Sequence, residues 1–481
     1  MSQHLLSLLL FLPLLCAALL WLFPARLARW LTAGGMLLTL GLATAVLTAY
    51  NPAGERFQFV ERALWIDSLN AHYLLGIDGL SVLFLPASAL LFLGSLVASW
   101  RAVDSAQPLY YSLLLALLSC IFGVFCALDT LLFFVFWELT LVPLYFLLAR
   151  WGSSADAVQV AARYCLIMLA GGVCLLIAFA VLATSQSTPT FDLTALLAAP
   201  LPRPAQWAVF LLCLIGFGLK APLVPLHTWL PQFALAAPGS LTALLVGLKL
   251  GVYGLIRFAI PLAPDVALQL HWLLAGLGTL ALLYGAVAML AQSNLRVAMA
   301  YASISHVGLA VLGLASLSAQ GVQGAVSLLL SFSLATGGGF ILLEFLRQRT
   351  GTTDIHALGG AAKSMPLLAS GVLVCGLAGV GMPGTSSFPG EFLLILSALH
   401  SHTGAGMAAL FALSIAAGAF LHLYRQAFFG PLTRSTVKMA EDLRPREWAI
   451  LVALIGMIVG IGVYPEPWFD LVRPAAEAWA A

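Results

Sequence analysis

The sequence predicts an all-α polytopic membrane protein with about fourteen transmembrane helices, the seventh and twelfth broken, and with helices 4–8 and 9–13 forming two inverted five-helix repeats. Three observations predict this. Hydrophobic residues make up 62% and charged residues 8% of 481 positions, so a water-soluble fold of this length would present a mostly apolar surface. Apolar windows of roughly 20 residues, the length that crosses a bilayer, recur between short connections. Two of these windows combine proline and glycine clusters with a charge, which a membrane tolerates only where protein or a water-filled cavity satisfies the freed backbone groups.

Span 1 covers 3–22 and has neither a cationic leading segment nor a small-residue cleavage site, so it reads as a retained helix and not a signal peptide. Spans 2, 3 and 4 cover 27–50, 77–98 and 109–128. Span 5, 130–150, carries Glu138 in "LLFFVFWELTLVPLYFL" with no other ionisable group. A charge at that depth costs about 2.5–3.5 kcal/mol unless it is paired or neutral, so the carboxylate is expected to face the bundle interior. Span 6 covers 157–184, and Arg163 near its start is expected to snorkel to the interface.

Span 7, 206–223, ends in "GFGLKAPLVPLHTWLP", where Lys220 stands just before Pro222 and Pro225. The two prolines break the helix and are expected to deprive the carbonyls of Gly218 and Ala221 of their donors. A break there gives a titratable group access to polar partners. Span 8, 240–260, is read as continuous and places Lys249 between two leucines. Spans 9, 10 and 11 cover 266–291, 299–316 and 321–347. Span 12, 366–398, contains "GVGMPGTSSFPGEFLLIL", in which four glycines with Pro383 and Pro389 rule out an unbroken helix. It reads as two half-helices joined by an unwound stretch, with Glu391 beside it. Spans 13 and 14 cover 404–428 and 446–464.

Spans 4–8 and 9–13 are successive five-helix blocks, each with its fourth helix broken and charged, and an odd number of helices per block forces inversion. The chain therefore divides into residues 1–105, a first repeat at 106–262, a second at 263–430, and a C-terminal helix and tail at 431–481. If the odd-numbered connections face the cytoplasm, thirteen Lys and Arg residues lie on that side; only Arg56, Arg62, Arg203, Arg257 and Arg473 lie opposite. This bias places both termini outside, on the periplasmic side of a bacterial inner membrane. Arg257 is taken to lie near its helix end, within snorkelling reach.

Of 21 basic residues 17 are Arg, yet two of the four Lys, Lys220 and Lys249, lie in mid-membrane. Arg stays protonated, whereas a buried Lys can release and rebind a proton. Charge change is therefore the function that the choice of lysine suits. The bland alternative, a fixed structural cation paired to a carboxylate, is the lesser expectation for an intramembrane ionisable residue. The seven cysteines lie inside apolar helices without a CxxC pair, so neither a cluster, a haem attachment nor a disulfide framework has sequence support. No nucleotide-binding loop and no nucleophile with a partnered base occurs either, so no cofactor or metal is expected on this chain and no nucleic acid among its partners.

The segments "GIDGLSVLF" (76–84), "FWELTLVPLYFL", "KAPLVPLHTWLP", "LLVGLKLGVYGLIRF", "YASISHVGLAVLG" and "GMPGTSSFPGEFLLIL" resemble the antiporter-like, proton-pumping subunits of respiratory complex I over residues 70–430. The M subunits (mitochondrial chain 4) are the most similar group: they carry glutamate in the "GEF" of span 12, where the L and N subunits and the cation antiporters generally have lysine. The resemblance implies that Glu138 pairs with Lys220, that Lys249 is a central relay, that Glu391 is the terminal exchange residue, and that His306 is the family's span-10 histidine. It implies protons as cargo, with FMN, iron–sulfur clusters and quinone on partner subunits, and L, N and smaller membrane subunits as neighbours in the bilayer. Two departures stand out. Gln232, Phe233 and Ala234 replace the usual Asp-Ala-His after "WLP", and Phe332 occupies the position of a second histidine, where water held by Ser331, Ser333 or Thr336 is expected to substitute. The alternatives are a hydrogenase-linked or ion-uptake complex, an Mrp-type cation/proton antiporter, and a purely structural scaffold.

Overall fold

A computed structural model of the chain describes residues 4–186, 188–432 and 434–480. The first residue of the 3–22 span and positions 1–3, 433 and 481 of the two flanking segments lie outside them. Among the described residues ten helices are long and apolar enough to cross a membrane; three shorter apolar helices are Leu5–Leu19, Phe84–Ser99 and Pro366–Gly379. Their starts follow local chemistry. Asp129 accepts hydrogen bonds from Leu131 N (2.9 Å) and Leu132 N (3.0 Å) to open the helix over Thr130–Trp151, and Asn294 and Ser318 cap Leu295–Leu314 and Ala319–Thr350 in the same way. Glu61, itself buried, reaches from outside to accept from Leu6 N at 2.7 Å and Ser7 N at 3.1 Å at the start of Leu5–Leu19.

The connections gather at two ends. At one, Asp129 bridges to Asp192 and His271 contacts His402. At the other, Ser153 N donates to Ala236 O (2.6 Å), Ile355 N to Ser293 O (2.8 Å) and Gly360 N to Phe429 O (3.1 Å). The long helix Ala319–Thr350 is almost wholly buried and packs against Phe84–Ser99, Gly239–Gly247, Leu295–Leu314, Pro366–Gly379 and Ser387–Ser401. It is the rod about which the second half is arranged.

Three expectations need correction. The chain is not all-α: β1 (Gln58–Ile66) and β2 (Ala71–Ile77) form an antiparallel hairpin over the end of the bundle. Window hydropathy misses it because neither strand is long enough to register as a span. Span 8 is not continuous, since its helix stops at Gly247 and resumes at Leu250, with Lys249 between them at φ 47°. Finally, the tail beyond span 14 contains a further helix, Glu466–Ala480.

Arg257 does not snorkel. It is 4% exposed and forks onto Asp78, Nη1 to Oδ2 and Nη2 to Oδ1 both at 2.6 Å, while its Nε donates to the Tyr253 hydroxyl at 3.1 Å. This bidentate pair pins the loop after β2 to the π-type turn Leu255–Ala259 that ends span 8. Trp479 Nε1 donates to Ile256 O at 2.7 Å in the same turn, which seats the C-terminal helix. Breaking a buried pair leaves the other charge uncompensated, at a cost of about 3–5 kcal/mol. Arg257→Leu is therefore expected to lower thermal stability sharply, and Asp78→Leu combined with Arg257→Leu to recover much of the loss. Melting curves of the detergent-solubilised variants check this; a double variant no more stable than the single one would contradict it.

Candidate functional site

Lys220 is the last residue of helix Arg203–Lys220, and the chain resumes a helix only at Trp229. Pro222 and Pro225 lie in that break. The carbonyl of Gly218 is not left orphaned, because Leu223 N reaches it at 2.9 Å across the break. Lys220 Nζ donates to Thr140 Oγ1 (3.0 Å) and Trp137 O (3.3 Å), and lies 3.9 Å from the centre of the Trp137 ring.

Glu138 is one residue from Trp137 but forms no direct ion pair with Lys220. Instead its carboxylate sits on Gly172, where a Cβ would come within 2.1 Å of Oε1, and neither oxygen has a hydrogen-bond partner. Both oxygens are buried between span 5 and span 6. The carboxylate lies under a groove of the bundle perimeter lined by exposed side chains that include Leu139, Val142, Phe146 and Leu169.

Lys249 adopts the left-handed conformation, which costs a non-glycine residue about 1–2 kcal/mol. Two contacts hold the strained break. Gly251 lies so close to the end of the Lys220 helix that a Cβ would come within 2.3 Å of Ala221 N, and Ser333 Oγ on the central rod donates to Gly247 O at 2.9 Å. Lys249 Nζ donates to the hydroxyl of Ser303 and, at 3.3 Å, to its carbonyl. A small cavity of about 20 Å³ is lined by Lys220, Thr140 and Leu250, the residue after Lys249.

One turn along from Ser303, His306 Nδ1 donates to Ala302 O at 2.6 Å. In the neutral ring Nε2 is then the unprotonated nitrogen, and it has no hydrogen-bond partner; it faces Glu391 Oε1, also unpartnered, at 3.7 Å. Glu391 lies in the first half-turns of Ser387–Ser401, after the break that follows Gly379. Its Oε2 packs on Gly381, where a Cβ would come within 1.9 Å and φ is 67°. Only glycine fits both the left-handed backbone and the carboxylate. Pro383 lies in the break. Pro389 does not: it is in the first turn of the second half-helix, where its missing N–H leaves no bond unmade.

The structure thus brings Lys249, Ser303, His306 and Glu391 into one row, with Lys220 beside its start and Glu138 next to Trp137, which Lys220 contacts. Ser303 is the member that the sequence does not announce; its three-residue offset from His306, one helical turn on a common face, is the signal. Phe332 fills the space between, its ring 4.2 Å from the His306 ring and 5.5 Å from Lys249 Nζ. The hydroxyls of the serines around it donate to backbone carbonyls. Ser331 Oγ donates to Ser386 O (2.6 Å) as Ser333 Oγ does to Gly247 O, so the two serines tie the span 12 and span 8 breaks to one rod. Thr336 lines a separate cavity of about 50 Å³ with His306 and Gly379, enough for a water molecule. Gln232 accepts from Arg163 Nη1 at 3.0 Å at the exposed end of span 6.

Residues 127–416 match the family described as "NADH:quinone oxidoreductase/Mrp antiporter, TM". The chain is 33% identical to NADH-quinone oxidoreductase subunit M of Rhodobacter capsulatus, over 98% of this chain and 96% of that one. The chain belongs to this family. Among solved structures it superposes on a chain of respiratory complex I from Thermus thermophilus with bound NADH at a TM-score of 0.91 and 33% identity, covering 99% of both chains. A chain of the Mrp complex from Dietzia sp. shares the fold at a TM-score of 0.89, with 22% identity over 100% of this chain and 97% of that one. Family membership agrees with a multi-pass membrane protein, and the family match spans Glu138, Lys220, Lys249, His306 and Glu391.

Proposed function

We propose that this chain is a proton-translocating subunit in the membrane arm of an NADH:quinone oxidoreductase, and that it moves protons along Glu138, Lys220, Lys249, His306 and Glu391. One observation carries this reading: His306 Nε2 and Glu391 Oε1, each without a hydrogen-bond partner, face each other at 3.7 Å at the end of a row that begins at Lys249. Closing that gap to hydrogen-bond distance would let a proton pass between the two atoms. Ser303 both accepts from Lys249 and carries a hydroxyl hydrogen, so it can pass charge toward His306 without leaving its helix.

The chain itself performs no redox step in this reading. FMN, iron–sulfur clusters and quinone belong to partner subunits, and the driving energy reaches this chain through neighbours resembling L and N and smaller membrane subunits. The perimeter position of Glu138 supports that arrangement, since a carboxylate under an apolar groove is placed to respond to a neighbouring subunit. The chain crosses a bacterial inner membrane about fourteen times, with both termini periplasmic and two inverted repeats at 106–262 and 263–430. The clustering of alternate connections at opposite ends supports this topology.

The second reading is an Mrp-type cation/proton antiporter, favoured by the shared family description. Purification of the tagged full chain from its own membranes separates the two. The proposed function predicts a stoichiometric assembly containing flavin and iron–sulfur centres. An assembly of antiporter-like subunits with no redox centre would overturn it.

A further inference from the structure

We infer that His271 and His402 form a binding site for a divalent transition metal of the zinc class at the end of the bundle away from the Lys363 and Arg349 connections. His271 is the first residue of helix His271–Leu290; His402 is the non-helical residue, φ −141°, between Ser387–Ser401 and Thr403–Phe428. Their rings approach with Nδ1 of His271 and Nε2 of His402 at 2.8 Å. Both side chains are part-exposed, so an ion and its waters can reach them.

The ligand atoms are preset for a metal. Tetrahedral zinc with nitrogen ligands at about 2.0–2.1 Å needs the two nitrogens roughly 3.3 Å apart, so the nitrogens must separate by about half an ångström and each ring axis must turn by roughly 35° to meet at the ion. Ser401 Oγ lies 3.0 Å from His402 Nδ1. With the hydroxyl accepting from Nδ1–H, the tautomer is fixed and the Nε2 lone pair is directed at His271, the orientation that an outer-shell oxygen gives to metal-bound histidines. His271 then donates through Nδ1–H in the metal-free protein, and on metal binding that proton moves to its Nε2, so no net proton is released. No third His, Cys, Asp or Glu completes the set among the described residues. The remaining positions fall to water, and imidazole ligands favour zinc, copper or nickel over magnesium or calcium.

A metal here would join the start of one membrane helix to the hinge between two others. One of those two carries Glu391 ten residues before its last residue, Ser401, about 15 Å at 1.5 Å per residue. The site is independent of which reaction the assembly serves.

Equilibrium dialysis of the assembled complex against micromolar radioactive Zn²⁺, with excess Mg²⁺ present, tests the site. The wild-type assembly is expected to bind one more equivalent of Zn²⁺ than either His271→Ala or His402→Ala, and the two variants to bind equally. Ser401→Ala is expected to keep that equivalent with affinity reduced about tenfold or more. It provides a reading should either histidine variant fail to assemble. Equal Zn²⁺ binding, in amount and affinity, by wild type and these variants would overturn the site.

Discussion

Lys249→Ala is expected to yield an assembled complex whose proton translocation through this subunit is lost. The break at residue 249 is maintained by contacts that do not involve the lysine side chain: Gly251 against Ala221 and Ser333 on Gly247 O. Alanine bears the same left-handed backbone at a similar cost of about 1–2 kcal/mol, so the fold should survive. What disappears is the donor to Ser303 and with it the first member of the row that ends at Glu391. Loss of a positioned proton-transfer group costs about 10²-fold or more. Dye-monitored acidification in proteoliposomes, normalised to NADH oxidation and to subunit content, is the check. A proton-to-NADH ratio unchanged from wild type would place the route elsewhere.

The second large effect is expected at Glu391. Glutamine preserves the shape of the side chain over Gly381 and can still donate a hydrogen bond to His306, but it cannot load and release a proton. Glu391→Gln should therefore stop translocation through this subunit, lowering the protons moved per NADH, while leaving assembly and melting temperature near the wild-type values. Glu391→Asp retains the acid but shortens the arm, which widens a separation to His306 that is already 3.7 Å; partial translocation is expected. Equal pumping by Glu391→Gln and wild type would make the carboxylate a structural group only.

Much of this arrangement is legible in the sequence because membrane insertion makes charge and proline conspicuous. Lys220 with Pro222 and Pro225, and Glu391 with Pro383 and Gly381, announce their breaks through residues that cannot continue a helix. Lys249 has no such marker. Its break depends on tertiary contacts, chiefly the close approach that Gly251 allows and the hydroxyl that Ser333 supplies, and the flanking Gly247 and Gly251 were the faint sign of it. Arg257 and Asp78 are 179 residues apart, so their pairing had no local signature; nothing short of the fold distinguishes a buried Arg near a helix end from one that snorkels. An isolated carboxylate in a bilayer is costly, so the sequence places Glu138 out of contact with lipid. Its oxygens are buried without a hydrogen-bond partner, beneath a perimeter groove that no local pattern marks. The hairpin escaped because its strands are too short to register in a search tuned to roughly 20-residue spans.

The central claim is that Lys249 changes charge during turnover, and Lys249→Arg tests it most directly. Arginine preserves the positive charge and hydrogen-bond donors toward Ser303 but does not deprotonate in proteins. The measurement is the number of protons moved per NADH oxidised by the reconstituted Lys249→Arg complex, in parallel with wild type. The relay predicts a lower ratio than wild type with the subunit fully incorporated. An unchanged ratio at an unchanged rate would identify Lys249 as a fixed structural cation and contradict the proposed path through this chain.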